Sequence, residues 1–145
     1  MTEEANKATI RRIVEEIQNG DNLALLDELV APNFVNHTPA PGLPPDGEGI
    51  KQLLSMFRAA FPDGSMTIED MIAEGDKVVS RKTYRGTHQG EFLGIPPTGR
   101  HITIGLIDIM RLVDGQVVEH WNVGDDLSML QQLGVLPPLE KEPDQ

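Results

Sequence analysis

The main change in the spacing of apolar residues along this chain lies close to Pro62. Before Pro62, apolar side chains recur at every third or fourth position, which is typical of helices with one buried face. After Pro62, polar and apolar residues alternate, which is typical of strands with one buried face. Helices followed by a run of strands indicate an α+β fold, in which the helices cover one face of a sheet.

The helical part predicts three helices and one short strand. The first helix ends at Gly20, the second runs from Asp21 to Pro32, and the third ends before Pro62. A strand at 34–38 and a proline-rich loop separate the second helix from the third. These three helices are expected to pack on the sheet.

Four strands are predicted next, at 65–73, 77–85, 101–112 and 116–124. Two of the connections are tight turns, so the strands can pair as an antiparallel meander. If such a sheet curls strongly, it and the helices enclose a pocket with one open mouth. A last short helix ends near Gly134.

Composition narrows the classes of function. The 145 residues suffice for one domain, expected over 1–136, with an acidic flexible tail at 137–145. A net charge of −11 disfavours binding to nucleic acid or anionic membranes. The chain has no cysteine, and its four histidines are not paired at helical ligand spacing, so no metal is expected. The absence of a signal-like or membrane-spanning apolar run predicts a cytoplasmic protein.

The last two strands are joined by an Asp-Gly turn that allows two pairings. A two-residue loop pairs Val113 with Gln116 and places Asp108 and His120 on opposite faces of the sheet. A three-residue loop pairs Leu112 with Gln116 and places Asp108 directly opposite His120. We predict the second pairing, because it gathers the polar side chains on one face.

In that pairing Asp108, His120 and Asn122 share a face with Leu106 and Met110. A carboxylate in a half-apolar strand pair needs a hydrogen-bond partner. Two interpretations follow: an acid/base dyad in which Asp108 orients His120, or a cross-strand ion pair that only fixes the register.

The other face of this strand pair is apolar and predicts a homodimer or larger homo-oligomer. It carries Ile107, Ile109, Trp121 and Val123.

Two motifs resemble those of one known family. The run GTHQGEFLGIPPTG at 86–99 resembles the G-x-H-x-G-x-F-x-G-x-P-x-T-G loop of the SnoaL-like polyketide (ester) cyclases, and DGQVVEHW at 114–121 resembles their D-G-x-[IV]-x-E-H-W strand. With the final D-L-x-x-L-x-Q-L-G helix, the resemblance covers about 8–134. It implies the cone-shaped nuclear transport factor 2-like fold. It also implies an enzyme that closes a ring by intramolecular aldol condensation of a small hydrophobic carbonyl compound, with no cofactor.

The resemblance also implies roles for residues. In that family an Asp follows the histidine of the motif by two positions, and this chain has Asn122 there. The leading hypothesis is that His120 abstracts a C–H proton, Asp108 orients His120, and Asn122 donates a hydrogen bond to the enolate. The expected reaction is aldol cyclisation or a related isomerisation or dehydration. The residues expected to bind substrate are His37, His88, Leu106, Met110 and Phe57.

Two other functions remain open. The same cone without turnover would be a binding module for a small apolar ligand. Epoxide hydrolysis in a similar cone uses Asp, Arg and Asp around a water molecule, and here Arg81 and Arg111 are the candidate arginines.

Overall fold

A computed structural model describes residues 2–137. Apart from Pro137, the tail predicted at 137–145 lies outside the described residues. Within the described part of the chain, no helix has the length and apolar character that crossing a membrane requires.

The helices lie at both ends of the chain and around one strand. They are α1 (Glu3–Arg12), which continues as a π-helical segment (Ile13–Gln18), then a 3₁₀ turn (Leu23–Leu25) leading into α2 (Leu26–Leu29), α3 (Gly47–Ala60) and α4 (Asp126–Gln132). Side-chain caps start three of them: Thr2, Asp46 and Asp125 accept hydrogen bonds from backbone N–H groups of the first turns of α1, α3 and α4.

The second helix is shorter than predicted at both ends. Asp21 has a φ of 58° and donates its N–H to the Ile17 carbonyl, so it terminates the first helix and does not cap the second. At the other end the chain is already extended at Val30, two residues before Pro32. The helix could not have continued far, because Ala31 precedes a proline and is driven out of the helical region. Pro32 therefore lies inside a strand.

The five strands are β1 (Val30–Asn36), β2 (Ser65–Glu74), β3 (Lys77–Thr87), β4 (His101–Val113) and β5 (Gln116–Gly124), in the order β1-β5-β4-β3-β2. The antiparallel meander of β2 to β5 is confirmed, with strand ends within two residues of the prediction. The edge strand β1 pairs in parallel with β5, a pairing that alternation does not reveal.

The β4–β5 hairpin does not have the predicted register. Its loop has two residues, Asp114 and Gly115, with φ values of 51° and 80°, and Val113 pairs with Gln116. These positive φ values define the type of turn that matches the twist of a hairpin. The prediction of a three-residue loop was wrong.

A β-bulge nevertheless brings the expected residues to one face. Arg111 pairs with Glu119 and Leu112 with Val117, so β5 has one extra residue, Val118. The extra residue reverses the facing of every later side chain on β5. Asp108 therefore pairs with Asn122, and both share a face with His120. Without the bulge, the two-residue loop would place Asp108 and His120 on opposite faces.

The helices cover the concave face of the sheet and leave a cavity of about 210 Å³ between them. One buried cluster lies where α1, the π-helical segment and α2 meet the sheet, around Ile10, Ile17 and Leu26. A second lies between α3 and α4, around Phe61 and Ile102. The cavity opens between these clusters, so the fold presents the inner faces of β3, β4 and β5 to whatever enters it.

Candidate active site

The cavity wall is mainly apolar, with a compact polar cluster on the sheet. Three residues predicted to bind substrate, Phe57, Leu106 and Met110, lie in this wall. The predicted catalytic residues lie there too: Asp108, His120 and Asn122. The sheet thus brings together six of the eight site residues expected from the sequence.

Asp108 is the centre of the polar cluster and is only 3% exposed. Its Oδ1 accepts a hydrogen bond from Asn122 Nδ2 at 2.8 Å and lies 2.6 Å from His120 Nε2. Its Oδ2 forms an ion pair with the Lys82 ammonium group. Three donors therefore surround one buried carboxylate.

Lys82 is the functional candidate that the sequence interpretation missed. Its side chain lines the cavity although the residue is only 1% exposed. The alternation of β3 contained the signal, because Lys82 falls on the same face as Val78 and Tyr84, which are buried. A lysine at an apolar position of an alternating strand needs a carboxylate partner, and Asp108 on β4 provides it.

The surroundings of Asp108 keep it ionised. Burial by itself would raise the pKa of this carboxyl, but the positive charge of Lys82 and the hydrogen bond from His120 together outweigh burial and lower the pKa below its ordinary value. The site consequently holds a carboxylate, not a carboxylic acid, at neutral pH.

Both ring nitrogens of His120 are engaged. Nδ1 lies 3.0 Å from Asn36 Oδ1, which is identified as the oxygen because it also accepts the Thr38 backbone N–H. Nε2 faces the Asp108 carboxylate. Since both neighbours are acceptors, each ring nitrogen is placed to donate a hydrogen bond, which an imidazole does at both nitrogens only in its doubly protonated form.

A short polar chain fixes the imidazole to the neighbouring strands. The Thr38 hydroxyl accepts the backbone N–H of Asn122 at 2.8 Å and lies 3.4 Å from Asn36 Oδ1. Asn36 is buried at the end of β1, whose parallel pairing with β5 places it beside His120. The edge strand thus orients the ring.

His37 and His88, both expected to bind substrate, are not in the cavity wall. The His37 ring stacks on Trp121 at 4.7 Å on the outer face of the sheet, and its Nε2 lies 2.8 Å from Glu119 Oε2. His88 is fully buried, and its Nδ1 accepts the backbone N–H of Thr98. His88 thereby closes the glycine-rich loop between β3 and β4.

The two arginines considered for epoxide hydrolysis lie on the outer face. Arg81 pairs with Asp70, and Arg111 pairs with Glu119. The arginine in the cavity wall is Arg58, which extends from α3. Among residues 2–137, no group of three or more histidine, aspartate and glutamate side chains is arranged to hold a metal ion.

Comparison with known families agrees with this geometry. The family model described as SnoaL-like polyketide cyclase matches residues 8–133. The chain belongs to the SnoaL-like polyketide cyclase family. Among curated members, it is 32% identical over 111 residues to the nogalonic acid methyl ester cyclase of Streptomyces nogalater, covering 75% of this chain and 83% of that protein. It is 30% identical to the aklanonic acid methyl ester cyclase DauD of a Streptomyces species, covering 86% and 79%.

Solved structures of SnoaL-like proteins share the fold. IdmH of Streptomyces antibioticus, a candidate polyketide cyclase, is 39% identical with a TM-score of 0.78, covering 89% of this chain and 98% of that one. AclR of Streptomyces galilaeus, a candidate hydroxylase, is 31% identical with a TM-score of 0.84, covering 97% and 87%. The cone-shaped α+β fold expected from the sequence is confirmed, and the same fold is associated with more than one named chemistry.

Proposed function

We propose that the protein is a cofactor-independent enzyme that removes a proton next to a carbonyl group of a small hydrophobic compound and closes a ring by aldol addition. The observation that carries the proposal is the buried Asp108 carboxylate, held between Lys82 and His120 in the wall of an apolar cavity. The relatives named as methyl ester cyclases support this reaction class.

Asp108 is the base in this proposal, in place of His120. A carboxylate offers about four lone-pair sites, and three are occupied by His120, Asn122 and Lys82. The remaining site, on Oδ2, is free to accept a proton from carbon. Both ring nitrogens of His120 face acceptors, so this proposal exchanges the roles expected from the sequence.

The charge of the cluster compensates for the weak basicity of Asp108. Lys82 and His120 carry two positive charges against one negative charge, which leaves an excess of one positive charge in a site shielded from water. An enolate that forms beside the cluster gains its attraction, because Coulomb interactions are stronger in a poorly solvated site. Asn122 adds an amide donor for the enolate oxygen.

The full cycle returns Asp108 and His120 to their starting protonation states. The substrate C–H bond breaks, its proton moves to Asp108, and its electron pair forms the enolate. The enolate carbon then attacks a second carbonyl carbon of the same molecule and forms the C–C bond. The resulting alkoxide takes the Nε2 proton of His120, and Asp108 then transfers to His120 the proton that it took from carbon. The product is an isomer of the substrate, so no co-reactant is needed.

We also propose that the protein self-associates through the outer face of the sheet. Ile72, Ile107 and Val123 are exposed there, next to Trp121. A second copy is the occupant we favour, because the same face carries both the Arg81–Asp70 and the Arg111–Glu119 ion pairs and so presents charges of both signs around an apolar centre. Light scattering of an Ile107→Glu variant, expected to give a smaller particle than the wild type, tests this.

The catalytic proposal is tested by turnover. We expect the wild type to convert a methyl ester of the nogalonic or aklanonic acid type, or a simpler β-keto ester, into a product of the same mass. Asp108→Asn should lower kcat/KM by about 10²- to 10⁴-fold, because a positioned base contributes that much. Asp70→Asn is the matched control, since Asp70 is exposed on the outer face.

Three results would contradict the catalytic proposal. Turnover by Asp108→Asn at the wild-type rate would exclude Asp108 as the base. Tight binding of these esters by the wild type, without turnover, would favour a binding module. If the wild type is given an epoxide and adds one water molecule to it, epoxide hydrolysis would be favoured.

A further inference from the structure

A second set of polar groups lies in the cavity, away from Asp108. It consists of the Tyr84 hydroxyl on β3, the Gln18 amide at the end of the π-helical segment, and the Arg58 guanidinium on α3, and all three residues line the cavity. None of them takes part in the chemistry proposed above. An apolar cavity with polar groups at two places recognises a ligand that is polar at two places.

Tyr84 is held rigidly with its hydroxyl protonated. Its ring packs edge-on against Phe57 at 5.4 Å and Phe61 at 5.9 Å. Burial raises the pKa of Tyr84 to about 12, although the nearby charge of Arg58 acts in the opposite direction. The hydroxyl lies against the backbone of Gly64, where an added β-carbon would overlap it. Tyr84 therefore presents a fixed hydroxyl that both donates and accepts.

Gln18 provides an acceptor with no partner. Its Oε1 is buried and forms no hydrogen bond with the residues from 2 to 137. The Gln18 backbone is fixed, because its carbonyl accepts a hydrogen bond from Arg58 Nη2 at 3.1 Å. The adjacent Asn19 forms two hydrogen bonds with the backbone of Met66, the cross-strand neighbour of Tyr84.

An unpartnered buried acceptor lowers the free energy of unfolding, because it has lost its hydrogen bonds to water. A hydrogen-bond donor on a ligand would remove that penalty. Since Met66 pairs with Tyr84, the contacts of Asn19 bring Gln18 to the Tyr84 end of the cavity. A hydroxyl group fits both residues, because it donates to Gln18 Oε1 and accepts from Tyr84. Arg58, whose Nε lies 3.7 Å from Asp21 Oδ1, adds guanidinium donors that favour an electron-rich oxygen, such as that of a phenol.

The sheet register sets the separation of the two polar places. Tyr84 pairs with Ile104, and Ile104 is four residues from Asp108 on β4. Four residues of a strand span about 13 Å, at roughly 3.3 Å per residue. A ligand that reaches both places is therefore longer than one aromatic ring.

We propose that Tyr84 and Gln18 form a second binding site that selects substrates with a hydroxyl group at the end remote from the reacting carbonyl. This inference rests on the proposed function, because it assumes that the carbonyl lies at Asp108. It assigns to Tyr84 and Gln18 a role in specificity, with Arg58 as the residue that positions Gln18.

The test uses two inert probes of the same length, 4-acetyl-4′-hydroxybiphenyl and 4-acetyl-4′-methylbiphenyl, with affinities measured by isothermal titration calorimetry. We expect the wild type to bind the hydroxyl probe about tenfold more tightly, as one to two hydrogen bonds would give. Tyr84→Phe and Gln18→Met should each remove most of that preference while binding the methyl probe as the wild type does. The shorter 4-hydroxyacetophenone should gain nothing from its hydroxyl over 4-methylacetophenone.

Equal affinity of the wild type for the two biphenyls would overturn the inference, and so would a preference that survives in both Tyr84→Phe and Gln18→Met. Asp108→Asn separates this inference from the proposed function. It should keep the hydroxyl preference, because Asp108 lies at the other end of the cavity. Failure of the proposed chemistry appears only in turnover, which the inert probes do not report.

Discussion

The two faces of the central strands carry the same three kinds of side chain. Each face holds a cation, a carboxylate and a histidine in contact. The inner triad is Lys82, Asp108 and His120, and the outer triad is Arg111, Glu119 and His37. Their composition is almost equivalent, so any difference in function between them comes from their surroundings.

Burial is what distinguishes the triads. Asp108 is buried in the cavity wall, whereas Glu119 lies on the outer face with its side chain 26% exposed. In both triads the pKa of the carboxyl is lowered: hydrogen bonds from Arg111 and His37 act on Glu119, and Lys82 and His120 act on Asp108. Water screens the outer charges, whereas the inner charges act on each other and on any bound ligand more strongly. Position in the sheet, therefore, makes only the inner triad a candidate for catalysis.

The largest expected difference between the triads is in stability. Lys82→Met leaves the buried Asp108 without its main cation, and breaking a buried pair from one side costs about 3–5 kcal/mol of the free energy of unfolding. Arg111→Met removes a cation from the exposed triad and should leave the urea midpoint unchanged. Urea unfolding of the two variants measures both effects.

The double variant Lys82→Met/Asp108→Asn provides the control for that experiment. It removes the uncompensated carboxylate, so it should be more stable than Lys82→Met alone. Equal destabilisation by Lys82→Met and Arg111→Met would show that burial does not separate the two triads.

Asn122→Asp is expected to lower activity, and to lower stability by less than Lys82→Met does. The variant replaces the donor that contacts Asp108 Oδ1 with an acceptor, and a lost hydrogen bond to a charged group costs about 1.5–3 kcal/mol. The added carboxylate also raises the pKa of one member of the pair, because two adjacent negative charges repel. Activity on the protein's own substrate should fall.

Activity assays of Asn122→Asp on the same ester panel provide the measurement. A gain in aldol cyclisation would instead indicate that position 122 is the proper place for the base, as the resemblance to the family's motif implies. No change in either activity or stability would place Asn122 outside the reacting site.

The smallest expected effect is the response to acid. Because the folded-state pKa of Asp108 lies below its unfolded value, its ionised form contributes stability above about pH 4 and loses that contribution as the pH falls further. The difference in urea midpoint between the wild type and Asp108→Asn should therefore be constant from about pH 8 to 5 and narrow below about pH 4. A difference that widens on acidification would mean that Asp108 is not held ionised by the fold.

Most of the fold could be predicted because its signals are local. Alternation located the strands β2 to β5 within two residues, and the motifs of the glycine-rich loop and the last hairpin indicated the family. The second helix was predicted too long at both ends, because proline and a positive φ at Asp21 overrode a helical pattern of leucines. The parallel pairing of β1 is a long-range contact that has no pattern within the strand itself.

The candidate site was predicted in part. The predicted loop length was wrong, but a β-bulge in β5 gave the predicted facing of the side chains. Asp108 and His120 share a face because the extra residue at Val118 compensates for the two-residue loop, and such a bulge depends on packing that local sequence does not specify. Lys82 was visible in the alternation of β3 but had no apparent partner until the register of β3 and β4 was known. His37 could not be assigned because it follows an edge strand whose pairing was unknown.

The most direct test of the central claim, that Asp108 in the inner triad removes a carbon-bound proton, is hydrogen–deuterium exchange of a ligand. A β-keto ester is incubated with the protein in D₂O, and loss of its α-proton signal is followed by NMR spectroscopy, which requires no cyclisation. We expect the wild type and Glu119→Gln to catalyse exchange at similar rates, and Asp108→Asn to be slower by about 10²- to 10⁴-fold. Exchange catalysed by Asp108→Asn at the wild-type rate would contradict the account.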